Sequence, residues 1–298
     1  MQFDSYCIQC LVERESKLAR RLFPPREADA FLRELLQLIL TAPEGVSGCY
    51  LVTLFREALQ RRGVTEDIYA EEKRASNEYA LRALPEAEAI VRASDDPLLT
   101  ALKYAQAGNF MDFGILEQAE IDELLHKAVQ DAPNAPLDEA EYRNFKNDLA
   151  AAKQLLIIGD NAGEIAFDTI LVKELQRQYP GLRVLYGVRG GNALNDATRE
   201  DAAAVGMDRI TEIVDNGAAI SGTELAFLGS EMREALDGSD VILAKGQANF
   251  ETLATCGMNI YYNFLGKCER ICKILGVPLY TGLFLNERRL PPIDPFPA

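Results

Sequence analysis

The chain has 298 residues, 48% of them hydrophobic, and its 31 Lys and Arg residues against 46 Asp and Glu residues give a net charge of −15. A chain this acidic gains no affinity from counterion release on DNA or RNA. Nucleic acid is therefore not expected as a partner. A phosphorylated substrate is not excluded, because a bound divalent cation can invert the local field.

The length suits two domains better than one small core. The first residues, MQFDSYCIQC, contain neither a basic segment nor a long apolar run, so we expect no signal peptide. No apolar stretch approaches the roughly 20 residues of a membrane span. Six cysteines in a chain of this size are typical of reduced thiols. We therefore expect a cytoplasmic protein without a membrane partner.

Residues 1–145 are predicted to form a helical N-terminal domain. Apolar residues recur at three- and four-residue steps in EADAFLRELLQLILTA and CYLVTLFREALQRRG, and EAEYRNFKNDLAAAKQ is rich in helix-forming residues. Segments with Pro and Gly, such as FPPRE, APEGVSG and DAPNAPLDEAE, separate the helices.

Residues 146–298 are predicted to form a three-layer α/β/α domain with a mainly parallel, Rossmann-like sheet. Short apolar runs (LLIIG, LRVLYGV, ITEIV, VILAK and VPLYTGLFL) alternate with helical patterns, as in repeated βα units. Ligands bind outside the carboxyl ends of the strands in such sheets. The fold class is therefore α/β, with a candidate site at one edge of the sheet.

Four of these strand ends carry small residues together with polar ones. Because parallel strands end at the same edge, their side chains should meet there. The candidates are Asp160, Asn161, Gly163 and Glu164 after the first strand, Arg189 and Asp196 after the second, Asp215, Asn216 and Thr223 after the third, and Lys245 and Asn249 with the fourth.

Carboxylate and amide oxygens without histidine suit a hard cation such as Mg²⁺ or Mn²⁺. Lys245 supplies a point charge for a phosphate, and helix N-termini offer N–H groups to an anion. A helix N-terminus contributes only about 0.3–2 kcal/mol, far less than phosphate ester hydrolysis needs. A metal and preorganised positive charge must therefore carry most of the catalysis.

Other interpretations compete for single residues. Asp160 or Asp196 alone could equally be a helix N-cap, and Asp215-Asn216-Gly217 alone favours a turn. The segment GVRGGN lacks the G-x-G-x-x-G spacing of a dinucleotide site. The single histidine, His126, lies in a helical pattern and is expected to be structural.

The cysteine pairs also have two interpretations. Cys7 and Cys10 form a C-x-x-C pair, and Cys268 and Cys272 could complete a metal set if the fold brought them together. We favour buried residues on helix faces, and a redox or auxiliary metal role stays open.

Three segments resemble the signature segments of the metal-dependent damage-control phosphatases, formerly domain-of-unknown-function 89. They are GDNAGEIAFD, VRGGNALNDAT and AKGQANFETL. CIQCL and AGNFMDFG resemble its prokaryotic stand-alone branch. The resemblance implies a helical region over an α/β/α domain, with Asp160, Asn161 and Asp196 as metal ligands and Lys245 on the substrate phosphate. It also implies that Asn109 and Asp112 approach from the helical half, and that Co²⁺, Ni²⁺, Mn²⁺ or Mg²⁺ supports hydrolysis of sugar phosphates or related phosphometabolites.

The predicted function is thus metal-dependent hydrolysis of small phosphomonoesters, with a phosphorylated metabolite as partner and a homo-oligomer as an open possibility. Asp160, Asn161 and Asp196 would hold the cation, with Asp160 or Asp196 as base or Asp160 as a nucleophile. Glu164 and Asp168 would orient the metal ligands. The residues predicted to contact the substrate phosphate are Lys245, Asn249, Gly163, Glu164, Asn109, Asp112, Arg189 and Thr223.

Two other functions compete with the phosphatase. One is an S-adenosylmethionine-dependent carboxyl methyltransferase, which would leave the metal ligands and the lysine unexplained. The other is a non-catalytic protein that binds a phosphometabolite and is stabilised by it without turnover.

Overall fold

The structure, a computed structural model, describes residues 1–108, 127, 129–290 and 293. The N-terminal part is helical, as the spacing of its apolar residues predicts. Its helices are α1 (Ser5–Leu22), α2 (Pro25–Leu40), α3 (Gly48–Arg61), α4 (Ala70–Ala93), α5 (Pro97–Ala107) and α6 (Glu139–Ala151).

Local sequence sets where these helices begin. The Asp4 carboxylate accepts hydrogen bonds from N–H groups in the first turn of α1, and Ser47 and Asp96 do the same for α3 and α5. Helix α2 begins at Pro25, whose missing N–H is not needed in a first turn. Helices α1 to α3 share an apolar core that includes Leu11, Phe31, Leu35, Leu51 and Phe55.

The rest of the chain is built on a six-stranded sheet with the strand order β3-β2-β1-β4-β5-β6. Strands β1 to β5 are parallel, and β6 runs antiparallel to β5. The strands are β1 (Gln154–Ile158), β2 (Arg183–Val188), β3 (Glu212–Asp215), β4 (Val241–Lys245), β5 (Ile260–Leu265) and β6 (Gly282–Asn286). The helices between them are α7 (Glu164–Gln178), α8 (Arg199–Val205), α9 (Ser230–Gly238), α10 (Gln247–Leu253) and α11 (Glu269–Leu275).

Each face of the sheet buries its own apolar core. In β1, Leu155 and Ile157 belong to the core shared with α4, α5 and α7, whereas Leu156 and Ile158 belong to the core shared with α9, α10 and α11. This alternation follows from the two-residue period of a strand. The predicted three-layer α/β/α architecture with a mainly parallel sheet is confirmed.

Helices from the N-terminal part therefore cover one face of the sheet. Residues of α4, α5 and α6 lie in the same core as residues of β1 and α7. The predicted domain boundary near residue 145 falls within α6. The division into residues 1–145 and 146–298 stays a prediction.

The sequence reasoning did not identify β5. Its sequence, IYYNFL, has Asn263 and two tyrosines where β1 and β4 have a continuous aliphatic run, although every residue of the strand is buried. In the segment VPLYTGLFL only Gly282–Asn286 forms a strand, preceded by Tyr280 with a φ of +62°. In the part of the chain that the structure describes, no helix is long and apolar enough to cross a membrane.

Candidate active site

The loops after β1 and β2 are hydrogen-bonded to each other. Asn161 and Asp196 form an isolated antiparallel bridge, and the backbone N–H of Ala197 donates to the carbonyl oxygen of Asp160 at 2.7 Å. Asp160 and Asp196 are only 7% and 2% exposed. The structure thus brings together the three predicted metal ligands at the carboxyl edge of the sheet.

This place is also where the strand order reverses, because β1 lies between β2 and β4. Gly246 follows β4 and has a φ of +76°. A Cβ built on Gly246 would lie 2.0 Å from Oδ2 of Asp160, so a glycine is needed for the carboxylate to occupy this position. The site therefore lies at a switch point, where ligands bind in open α/β sheets.

Arg189 lies fully buried beside the two aspartates. Its Nε donates to Oδ2 of Asp196 at 2.6 Å, and its Nη2 is 3.7 Å from Oδ1 of Asp160. The terminal nitrogens Nη1 and Nη2 have no hydrogen-bond partner among the residues that the structure describes. A guanidinium in this state can still donate to an anion that enters the site.

Burial disfavours the charged form of both aspartates. Burial, followed by the charges of Glu164 and Asp196, raises the pKa of Asp160 to about 8. Burial also raises the pKa of Asp196, although Arg189 and the Ser221 hydroxyl act in the opposite direction. The Ser221 hydroxyl lies 3.2 Å from both carboxylate oxygens of Asp196. The site therefore favours an additional positive charge.

Lys245 has a different set of partners from the phosphate contact that the sequence predicts. Its Nζ donates to Oε1 of Glu164 at 2.5 Å, to Oδ1 of Asp168 at 2.8 Å and to the carbonyl oxygen of Ala105 at 2.8 Å. These three bonds use all three ammonium hydrogens. Lys245, Glu164 and Asp168 are completely buried, so no donor of Lys245 points to solvent.

The two carboxylates keep this lysine charged. Burial alone would lower the pKa of Lys245, but the charges of Asp168 and Glu164 outweigh it and raise the pKa. Burial raises the pKa of Asp168 to about 6, against the effect of Lys245 and of a hydrogen bond from Tyr186 at 2.6 Å. The cluster fixes the first turn of α7 against the end of β4.

The side chains of Asn249 and Thr223 are hydrogen-bonded to each other, and Asn249 is also bonded to the ends of β1 and β4. The Asn249 amide donates to the carbonyl oxygens of Gly159 and Lys245 at 3.0 and 2.6 Å, and its oxygen accepts from the Thr223 hydroxyl at 2.8 Å. Asp215 lies apart from the cluster and pairs with Arg199 at 2.6 Å. These bonds hold the loops after β1, β3 and β4 in register.

The helical half also fixes the loop after β1, which the sequence reasoning missed. The side-chain oxygen of Asn77 on α4 accepts from the N–H of Gly163 at 2.7 Å, and the Asn77 amide donates to Asp201 at 2.9 Å. The N–H of Gly163, a predicted phosphate contact, is therefore already bonded. Asn77 stands in no pattern that would have singled it out in the sequence.

Three residues discussed from the sequence, Asn109, Asp112 and His126, lie outside the described residues. Within the described ranges, no three His, Cys, Asp or Glu side chains are grouped so that they could hold a metal ion. The candidate ligands Asp160, Asn161 and Asp196 comprise two carboxylates and an amide, so any cation here would need further oxygen donors.

The six cysteines are all free thiols. Cys7 and Cys10 lie on α1, and this helix contacts α11. On α11, the thiol of Cys272 donates to the carbonyl oxygen of Gly266 at 3.3 Å. Burial raises the pKa of Cys7 to about 11 and also raises that of Cys268. Burial thus favours the protonated form of these two thiols, which is not nucleophilic.

Comparison with known proteins identifies the family. The sequence matches the family described as "Damage-control phosphatase ARMT1-like domain" over residues 4–283. The chain belongs to this family. This agrees with the resemblance of its sequence segments, and the family description supports a phosphatase.

Relatives of the chain support the same conclusion. It is 32% identical to a damage-control phosphatase of Archaeoglobus fulgidus over 284 residues, which cover 93% of this chain and 96% of that protein. It is 31% identical to a damage-control phosphatase of Pyrococcus horikoshii over 72% of each chain. A crystal structure of a DUF89 family protein from Pyrococcus horikoshii matches 96% of this chain and 99% of that one, with a TM-score of 0.83 and 25% identity.

Proposed function

We propose that the protein is a metal-dependent phosphatase that hydrolyses small phosphomonoesters, such as sugar phosphates or related phosphometabolites, damaged ones included. The observation that carries the proposal is the buried guanidinium of Arg189, whose Nη1 and Nη2 lack hydrogen-bond partners in the described chain beside Asp160 and Asp196. Buried donors are costly to leave unsatisfied, and the planar fork of an arginine matches two oxygens of a phosphate. The family supports the phosphatase class.

The chemistry of the donor set fits a hard divalent cation. Asp160, Asn161 and Asp196 would offer it oxygen atoms, which suits Mg²⁺ or Mn²⁺ and also admits Co²⁺ or Ni²⁺. The buried carboxylates outnumber the buried cations beside them, so a divalent ion would offset the excess negative charge. The carboxylates are Asp160, Glu164, Asp168 and Asp196, and the cations are Arg189 and Lys245.

A bound cation would supply Lewis-acid activation of the phosphoryl group and of water. Arg189 would then bind the remaining phosphate oxygens and stabilise the charge that develops on them. Asp160 would accept the proton of the attacking water. Ser221 and Arg189 would hold the Asp196 carboxylate in one orientation.

Attack by Asp160 itself is the alternative mechanism. It would form an acyl phosphate with the carboxylate and release the alcohol, and water would then hydrolyse the acyl phosphate. Trapping with hydroxylamine distinguishes the two, because only an acyl phosphate would convert Asp160 to a hydroxamate. The proposal includes a cytoplasmic location and a phosphorylated metabolite as partner, with neither nucleic acid nor membrane.

We assign Lys245 a positioning role in this proposal. Its bonds to Glu164 and Asp168 hold the first turns of α7 against the end of β4, and its third bond joins α5 to the same point. A direct contact between Lys245 and phosphate would require one of these bonds to break. Phosphate binding therefore depends first on Arg189.

The test is phosphate release by protein that has been stripped of metal and then supplied with Mg²⁺, Mn²⁺, Co²⁺ or Ni²⁺ one at a time. We expect metal-dependent release from phosphomonoesters that is lost in Asp160→Ala. The matched control is Asp215→Ala, which removes an aspartate at the end of β3 that pairs with Arg199 outside the cluster. This variant should keep the activity.

Absence of release from folded protein with every metal would refute the phosphatase. Methyl transfer from S-adenosylmethionine to a carboxylate would then favour the transferase. Thermal stabilisation by phosphorylated metabolites without turnover would favour a binding protein.

A further inference from the structure

A cleft lies between helix α3 and the loops that follow β2 and β3. Thr53 and Arg56 line its α3 side, and Leu194, Ala219 and Ser221 line the loop side. Ser221 is the residue whose hydroxyl lies 3.2 Å from both carboxylate oxygens of Asp196. The cleft therefore begins directly beside the candidate phosphate site.

The narrow part of the cleft, beside Ser221, has a volume of about 30 Å³. A wide part of about 360 Å³ adjoins it and shares Thr53, Arg56 and Ala219 with its lining. A substrate whose phosphate lies at Arg189 could extend its remaining atoms into this space. Among the described residues that line the two parts, Arg56 is the one lysine or arginine.

Arg56 differs from the other arginines at the end of α3. Arg61 and Arg62 both pair with Glu34. Arg56 is half-buried in the cleft and forms no hydrogen bond or ion pair with any residue that the structure describes. A cation that lines a cleft without a carboxylate partner is available to an anionic ligand.

Two acidic residues line the cleft together with Arg56. Glu15 lines the same cleft, but its carboxylate already pairs with Arg14 at 2.8 Å. Glu57 lines the wide part of the cleft and is exposed to solvent, where its charge is screened. Neither carboxylate forms an ion pair with Arg56 in the part of the chain that the structure describes.

Contacts at the mouth of the cleft hold α3 against the loop after β3. The rings of Tyr50 and Phe227 stack with their centroids 5.3 Å apart. The Ser47 hydroxyl, at the start of α3, donates to the Glu224 carboxylate. These contacts keep the backbone of α3, and with it the position of Arg56, fixed relative to Ser221.

We infer that Arg56 binds a second anionic group of the substrate, a carboxylate or a second phosphate, while the first phosphate lies at Arg189. This inference rests on the proposed phosphatase function and names its substrate class as phosphomonoesters with another acidic group. Monophosphates whose sugar part is uncharged would bind without this contact and would be poorer substrates. A charge-assisted contact is strong enough to produce a preference of about 10-fold or more.

The test compares substrate pairs that differ in one charged group. One pair is 3-phosphoglycerate against glycerol 3-phosphate, and the other is fructose 1,6-bisphosphate against fructose 1-phosphate. We expect the wild-type protein to have the higher kcat/KM for the more charged member of at least one pair, which also distinguishes carboxylate from phosphate. Arg56→Gln should lower that preference about 10-fold or more and leave the less charged member nearly unchanged.

The matched control is Arg61→Gln, which removes the same charge from the same helix outside the cleft. This variant should keep the wild-type preference. Equal losses on both members of a pair in Arg56→Gln, or no preference in the wild type, would overturn the inference and leave the phosphatase intact.

Failure of the phosphatase itself is a separate outcome. If the folded protein hydrolyses none of the four compounds with any metal, the proposed function fails. The shift in Tm on adding each compound then tests the inference by binding alone. A larger shift with the more charged member that is lost in Arg56→Gln supports the inference, and equal or absent shifts overturn it.

Discussion

Gly246→Ala tests whether the position of the Asp160 carboxylate determines activity. The Cβ of an alanine here would lie 2.0 Å from Oδ2 and Cγ of Asp160, and real Cβ atoms essentially never approach another atom to less than 3.0 Å. The carboxylate must therefore shift by about 1 Å, a displacement that can cost a catalytic site about 100-fold in rate. The backbone of Gly246, with φ +76° and ψ 156°, adds strain of about 1–3 kcal/mol in any other residue.

Metal-dependent phosphate release and the Tm, measured on the same samples, separate these two effects. We expect Gly246→Ala to remain folded with a lowered Tm and to lose about 100-fold in kcat. The matched control is Gly257→Ala, because Gly257 also has a positive φ of +79° but has nothing within 4 Å of its built Cβ. This control should lose stability and keep its activity. Similar kcat values in the two variants would refute the reasoning.

Two further predictions concern buried or capping charges. Lys245→Met leaves Glu164 and Asp168 without their cation and should lower the free energy of unfolding in urea by about 3–5 kcal/mol. For Asp96, burial would raise the pKa, but hydrogen bonds from Tyr142 and a backbone N–H, together with Lys146, lower it. Its charged form therefore stabilises the fold above its unfolded pKa of about 3.9, and this contribution is lost as the pH falls through the folded pKa. The Tm of the wild type should then fall more steeply than that of Asp96→Asn between about pH 5 and pH 3.

Both predictions have internal controls. Lys173→Met removes a lysine that pairs with Glu88 at the surface and should cost less than about 1 kcal/mol. A comparable small loss in Lys245→Met would contradict the argument from burial. Asparagine is as good an N-cap as aspartate, so Asp96→Asn changes the charge and keeps the cap. Parallel pH profiles of the two proteins would show that Asp96 does not titrate as described.

The sequence was sufficient to predict that Asp160, Asn161 and Asp196 meet. The reason is topological, because the ends of β1 and β2 are neighbours at one edge of a parallel sheet whatever the loops do in detail. Hydrophobic runs of the right length predicted those strands directly. Strand β5 was missed because Asn263 and two tyrosines interrupt its apolar run, although every residue of the strand is buried.

The sequence could not predict the partners of Lys245. Its position after a buried strand and before glycine suggested a free cation, yet its nearest acceptors are Glu164, Asp168 and a carbonyl oxygen 140 residues earlier in the chain. Contacts at such separation depend on how α5 packs on the sheet, which no local pattern encodes. Arg189 was identified only as a residue at a strand end, and its unsatisfied nitrogens became evident only from the packed site.

The candidate metal ligands and the residue proposed to select the substrate lie on different parts of the fold. The candidate metal ligands and Arg189 all lie on loops of the sheet, where hydrogen bonds between loops fix them. The helical half contributes Asn77 and the carbonyl oxygen of Ala105 as supports, and Arg56 as a wall of the cleft. A change at Arg56 is therefore expected to alter substrate preference without moving a candidate metal ligand. A change at Asn77 should instead impair hydrolysis of every substrate alike, because it frees the loop that carries Asp160 and Asn161.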